Sequence, residues 1–234
     1  MKFLEFDETR DFPFYNHNPR ISKVGWFILL LTVPLSLIFY TIFGGIFSSD
    51  IIGGLAFCLT MLVPLLYFSN WDYGLMFRRP TRNEIILAVL MFIGYMIYSI
   101  LMGSFLDVLG LSGIESSAES MGITVETTIG LLFSMMGEEL VKFIPLMFLM
   151  RLVYKFTSNR KLTIVIPAVI IVICFGLIHY YPPYLTLASV LAIQGFGTIF
   201  EMYGYIRTKN IFVPYISHLL TDATVFIVVL LGFS

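Results

Sequence analysis

Long apolar runs separated by short polar connections dominate the chain. A membrane-crossing helix needs about 20 apolar residues. By that measure the pattern predicts seven helices, at about 24–47, 51–68, 84–110, 128–153, 163–180, 184–206 and 211–233. The second and fifth runs are short, so one of them is expected to stand nearly upright or to be partly re-entrant. The leading segment MKFLEFDETRDFPFYNHNPRISK is acidic as well as basic and has no apolar stretch before Val24, unlike a signal peptide. It is expected to lie on the membrane surface, with Phe3, Phe6, Phe12, Phe14 and Tyr15 as interfacial anchors and His17 as a solvated loop residue. The segment NWDYGLMFRRPTRNE reads as a surface linker. With no internal repeat and no second soluble domain, the chain divides into a segment 1–23, two N-terminal helices in 24–73, and a helical membrane core in 74–234.

The cations orient this all-α polytopic bundle. Lys2, Arg10, Arg20 and Lys23 precede the first run, and Arg78, Arg79 and Arg82 separate the second from the third. Arg151, Lys155, Arg160 and Lys161 follow the fourth, and Arg207 and Lys209 follow the sixth. The intervening connections carry none, so the positive-inside rule places the N-terminus in the cytoplasm and the C-terminus outside. Composition agrees with a membrane protein: 58% of the 234 residues are hydrophobic and 12% charged, about half the charge of a soluble domain. The net charge of −1 and the lack of a basic stripe exclude a nucleic-acid partner. Cys58 and Cys174 both fall in apolar runs and read as small core residues.

The chemistry lies where polar residues interrupt apolar runs. Glu138 and Glu139 sit within IGLLFSMMGEELVKFIPLMFLM, His179 within FGLIHY, and His218 and Asp222 within YISHLLTDA. Each ionisable group in hydrocarbon costs roughly 2.5–3.5 kcal/mol on insertion scales. Residues three or four apart share a helix face. Lys142 therefore projects with Glu138 and Glu139, Asp222 with His218, and Gln194, Thr198, Glu201 and Tyr205 form a further stripe. A shared polar cavity inside the bundle is the economical arrangement. Within it, glutamate serves as a general base toward water, and histidine as a base, metal ligand or oxyanion donor. No serine or cysteine stands in a nucleophile context, so hydrolysis would use an activated water. Lys142 and Glu201 read as supporting residues. Glu201 lies within two turns of Arg207, near enough to reach the interface. Asp107 and Glu84 read as span-boundary residues.

At these residues the chain resembles the CAAX prenyl protease and bacteriocin-processing (CPBP, or Abi) family of intramembrane endopeptidases. The family's signatures read here as Glu138-Glu139, Phe175-Gly-Leu-Ile-His179 and His218-Leu-Leu-Thr-Asp222. YGYIRTKNIFVPYISH and GLMFRRPTRNEI are similar to the family's flanking text, so the likeness covers about 74–225. It implies a membrane-embedded peptidase acting on membrane-associated peptides or proteins. In a bacterium these would be leader peptides, pheromone precursors, bacteriocins or regulatory proteins. By the same resemblance Glu138 and His179 would activate water, His218 and Asp222 would stabilise the oxyanion, and Glu139 would support the site.

Two positions depart from the family pattern. The family's arginine falls five residues after the first glutamate, where this chain has Phe143 preceded by Lys142; Glu-Glu-x-x-Lys also resembles PrsW-type membrane proteases. Aspartate stands at position 222 in place of asparagine, and an ionised carboxylate opposes an oxyanion. Asp222 would instead orient His218 or bind a cation. Glu138, His179 and His218 are an acceptable zinc set by residue type, so a divalent metal and a metal-free site both stand open. So do two other classes: a non-catalytic binding or regulatory membrane protein, and an ion-coupled transporter, the latter disfavoured by the missing repeat.

The heights of the motifs are in tension. On straight helices His179 lies about 27 Å of rise beyond Lys161, whereas His218 lies only about 14 Å beyond Lys209. A tilt, a kink at Pro167 or a re-entrant YYPPY segment is needed to bring them level.

Overall fold

A computed structural model describes residues 10–112, 123–182 and 184–231. Phe3, Phe6 and most of the acidic connection after the third run lie outside the described residues. The described chain forms seven helices and no strand. They are α1 (Lys23–Phe47), α2 (Asp50–Phe68), α3 (Arg82–Val108), α4 (Val125–Thr157), α5 (Arg160–Ile178), a composite α6 and α7 (Phe212–Leu230). The composite runs from Leu187–Ser189 through a π-helical stretch, Val190–Gly195, into Phe196–Thr208.

The helices begin where polar residues meet the apolar runs. Ser22, Ser49 and Asn159 accept from backbone N–H groups of the first turns of α1, α2 and α5. Thr81 with Glu84 forms a reciprocal capping box at α3, as Thr124 with Thr127 does at α4. Glu84 is thus the boundary residue its position implied, and Asp107 is exposed near the end of α3. Pro145 and Pro167 lie within α4 and α5 without ending them.

Five helices, α1, α2, α3, α5 and α7, are by themselves long and apolar enough to cross a membrane. α4 has the length but carries Glu138, Glu139 and Lys142 in its middle, and the π stretch interrupts α6. α4 is the central element, in contact with α1, α2, α5 and α7, while α3 packs on α6 and α7. The outward faces are apolar: Phe27, Ile97, Val165 and Leu177 are among many large side chains left exposed, as expected of surfaces that meet lipid.

Two expectations are corrected. Phe12, Phe14 and Tyr15 are not surface anchors; all are buried, with Phe12 against Tyr205, Phe14 against Trp26 and Tyr15 against Tyr154. Burial, and a 2.5 Å hydrogen bond from the Tyr15 hydroxyl to Asp11, hold that phenol well above its usual pKa. The connection before α3 lies on the surface as read, with residues 70–74, 79 and 81–83 exposed, but it is pinned at two points. Met76 is fully buried and its carbonyl accepts from the Ile211 N–H, while Arg78 donates to the Thr208 carbonyl. Finally, Cys174 faces outward, and only Cys58 joins the core. His17 is exposed, as read.

The burial of the N-terminal aromatics and the pinning of the α2–α3 connection have one physical source. The N-terminal segment and the α2–α3 connection fold over the α6–α7 turn, so Lys209 and Asn210 are buried and the Lys209 ammonium rests over the Phe12 ring. The turn is sunk into the protein. His218 and His179 nonetheless both reach Glu138, at 3.7 and 4.0 Å. Tyr181 and Leu185 close a tight turn between α5 and α6.

Candidate active site

α4, α5 and α7 bring the motif residues together. Glu138 Oε2 lies 4.0 Å from His179 Nε2 and 3.7 Å from His218 Nε2. Asp222, one turn beyond His218 on α7, places Oδ2 3.9 Å from the same His218 nitrogen. His179 caps the C-terminus of α5, where its Nδ1 lies 2.8 Å from the Phe175 carbonyl. A carbonyl only accepts, so Nδ1 carries the proton and, in the neutral ring, Nε2 presents its lone pair toward Glu138. The ring also packs edge-on against Phe175. The spacing Phe-x-x-x-His thus fixes both tautomer and orientation.

Behind this face lies a second, drier layer. Glu139 and Lys142 are buried and ion-paired one turn apart on α4, and the Lys142 ammonium also donates to Glu201 of α6. His218 Nδ1 is 2.8 Å from Glu139 Oε1, so Glu139 holds that ring as the Phe175 carbonyl holds His179. The alignment turns Nε2 of His218 toward Glu138 and Asp222. Lys142 lies over the Phe175 ring, which ties the layer to α5. Glu201 does not reach toward the interface with Arg207: it is 6% exposed and points inward to Lys142, with Oε1 3.8 Å from His218 Nδ1. An ammonium shared by two carboxylates fixes it there more strongly than a lone snorkelling position would.

Among the described residues, the acidic and histidine side chains whose ligand atoms converge within 4.8 Å are Glu139, Glu201 and His218. A divalent ion does not fit that trio while Lys142 donates to both of its carboxylates. Glu138, His179 and His218 are not part of so tight a trio: Glu138 Oε2 stands 4.0 and 3.7 Å from the two Nε2 atoms, on the wall of a larger cavity.

Two cavities meet at the site. A polar chamber of about 300 Å³ is lined by Glu138, His179, Glu201, His218 and Asp222, together with Gln194, Thr198 and Tyr95. A more apolar groove of about 350 Å³ shares Glu138, His179 and Asp222 with it and runs between α1, α2 and α4 past Leu37, Phe57 and Met135. The groove reaches Asp50 and Thr127 at the starts of α2 and α4, the end of the bundle without basic connections. There Thr127 donates to Asp50 and Ser49 to Glu126, joining α2 to α4.

Close helix contacts set this geometry. A Cβ at Gly137 would stand 2.2 Å from the Phe57 ring, so α2 rests on α4 one residue before Glu138. A Cβ at Gly176 or Gly195 would meet the opposite backbone at 2.8 or 2.9 Å, so α5 touches the π stretch of α6 directly. Small residues permit such approach between membrane helices, and π turns recur at functional sites. Of the α6 stripe, Gln194, Thr198 and Glu201 line the chamber, whereas Tyr205 turns away to pack on Phe12 and Phe143. Tyr95 escaped the sequence reading because its α3 neighbours are apolar; its place follows from Gly197, whose missing side chain makes room for the Tyr95 ring.

Residues 120–224 match the family model described as type II CAAX prenyl endopeptidase, Rce1-like. The match takes in the motif residues of α4, α5 and α7 as well as Lys142 and Glu201, and leaves α1 to α3 outside. No curated protein and no solved structure matches the chain.

Proposed function

We propose, from the match of residues 120–224 to the type II CAAX prenyl endopeptidase model, that the chain is a CPBP-type endopeptidase cutting a membrane-associated peptide or protein with a water activated by Glu138 and His179. The observation that carries this reading is Glu138 Oε2 standing between His179 Nε2 and His218 Nε2, at 4.0 and 3.7 Å, in a chamber joined to an apolar groove. A water beside them gives its proton to Glu138 while His179 Nε2 orients it. Its oxygen attacks the peptide carbonyl carbon, and the carbonyl electron pair moves onto oxygen. His218, in its imidazolium form, donates through Nε2–H to that oxyanion. Collapse breaks the C–N bond, and Glu138 returns the proton to the departing amine. Glu139, Lys142 and Glu201 act as positioning residues that hold His218. No step requires a metal.

The residues 74–234 form the protease core in this reading, and α1 and α2 supply the apolar wall of the groove. With the N-terminus cytoplasmic, the groove opens toward the external face and receives an apolar segment from that side. A C-terminal reporter found in the cytoplasm would overturn this orientation.

The test compares the N-terminal peptides of membranes and medium from cells carrying the wild type or Glu138→Gln at equal abundance. Peptide termini made only by the wild type, and reproduced by purified protein, are expected. Asp222 favours a second reading, a non-catalytic binding or regulatory protein, because its carboxylate stands 3.9 Å from the His218 nitrogen that would hold an oxyanion, whose charge it would oppose. A cellular function that survives Glu138→Gln with no change in termini would select that reading.

A further inference from the structure

Where α1 begins and α4 ends, at the opposite end of the bundle from His179, a cavity of about 570 Å³ lies against the N-terminal segment. Among the described residues its charged lining is Lys23, Arg151 and Lys155, with no carboxylate. Asp11, the acid nearest in the chain, is already engaged by the Tyr15 hydroxyl and by Arg160. Two donors in this lining lack an acceptor. Trp26 Nε1 and Arg151 Nη1 are buried with no hydrogen-bond partner among the described residues. Trp26 is only 3% exposed and is fixed by ring contacts with Phe14 and Phe148, so its N–H cannot turn out to water. Buried donors without acceptors are uncommon in native proteins and call for a partner. Cations and neutral donors gathered without a counter-charge among the described residues suit an anion as that partner.

The outer flank specifies it further. Phe27 of α1 and Leu152 of α4 line the same cavity while remaining 67% and 40% exposed on the apolar outside of the bundle. The donors therefore sit at the boundary between polar connections and lipid-facing helices. A free phosphate would use the donors and leave this apolar flank idle. We propose that the cavity binds an anionic phospholipid, its phosphate accepting from Arg151 and Trp26 beside Lys23 and Lys155, and its acyl chains lying along Phe27 and Leu152.

The test is native mass spectrometry of the purified full-length protein with phosphatidylglycerol or phosphatidylcholine at equal concentration, with thermal melting in inorganic phosphate as a separate arm. Phosphatidylglycerol should be retained at least tenfold better, by the ~1 kcal/mol or about fivefold expected per surface cation. The Arg151→Gln/Lys155→Gln variant should lose about 30-fold, two such steps, while melting normally in phosphatidylcholine. Trp26→Phe keeps the ring packing and removes only the donor; its weakened retention decides the matter should the double variant unfold. Equal retention of both lipids, or unchanged retention in the variants, would overturn the proposal. Stabilisation by inorganic phosphate as large as that by phosphatidylglycerol would overturn the lipid assignment.

Discussion

Replacing Lys142 with methionine removes the one ammonium that Glu139 and Glu201 share, in a place where all three residues are buried. The carboxylate oxygens of Glu139 and Glu201 lie within 4.8 Å of each other. At that separation and an effective dielectric of about 20, two unit charges repel by about 3.5 kcal/mol. This agrees with the roughly 3–5 kcal/mol lost when one partner of a buried ion pair is removed. For a chain of this size each kcal/mol moves the midpoint by roughly 2–4 °C, so Lys142→Met should melt about 7–14 °C below the wild type. Melting can be followed in detergent with a thiol-reactive dye in a Cys174→Ser background, because Cys174 faces outward whereas Cys58 is buried until the bundle opens. The second change is the informative one. Glu201→Gln added to Lys142→Met removes the repulsion and should recover most of the loss, whereas two independent structural defects would add. A Lys142→Met midpoint within about 2 °C of the wild type, or simple additivity in the pair, would refute the shared-ammonium account.

Further outcomes follow from the same geometry. Glu138→Gln and His179→Ala should each lower peptide cleavage by about 10²–10⁴-fold, the usual contribution of a general base, with melting midpoints near the wild type because both side chains are partly exposed. Gly137→Ala should destabilise by about 1–3 kcal/mol through overpacking against the Phe57 ring 2.2 Å away, and Phe57→Leu should restore the midpoint in the double variant. Cleavage by purified protein should be unchanged after dialysis against a strong chelator; loss restored by zinc would show that Glu138, His179 and His218 hold a metal.

The apolar runs make the helix positions legible because membrane spans are set by length and hydropathy; the caps Ser49 and Thr81 emerge only from the structure. The pairing of Glu138, Glu139 and Lys142 on one face is likewise a matter of helical spacing. What the runs conceal is depth. A connection reads as surface when it is polar, and Lys209 and Asn210 are polar yet buried, because the N-terminal segment covers them. The same segment misleads in the other direction: its aromatic residues suit an interface, but Phe12 and Phe14 find partners in Tyr205 and Trp26. Glu201 faces inward for a reason that only three dimensions supply, the proximity of Lys142 on another helix. The apolar groove is equally hidden, since Leu37 and Phe57 differ in no way from the lipid-facing residues beside them.

Asp222 is where this chain departs from the family pattern and where the mechanism is most exposed. Its Oδ2 stands 3.9 Å from His218 Nε2, the atom assigned to the oxyanion. Two effects then compete. The carboxylate favours the imidazolium form of His218, which strengthens the donor, but its charge repels the developing oxyanion. Asp222→Asn removes the charge and offers an N–H in nearly the same volume. One oxyanion donor is worth about 10²–10³ in kcat, and loss of the charged partner of His218 offsets part of that gain. Cleavage kcat should therefore rise by about tenfold, with KM unchanged, since the ground-state carbonyl carries little charge. Glu139 still fixes His218 through Nδ1 in that variant, so its orientation survives the change. A fall in kcat would mean that Asp222 works by holding His218 charged, and would remove it from direct contact with the reacting oxygen.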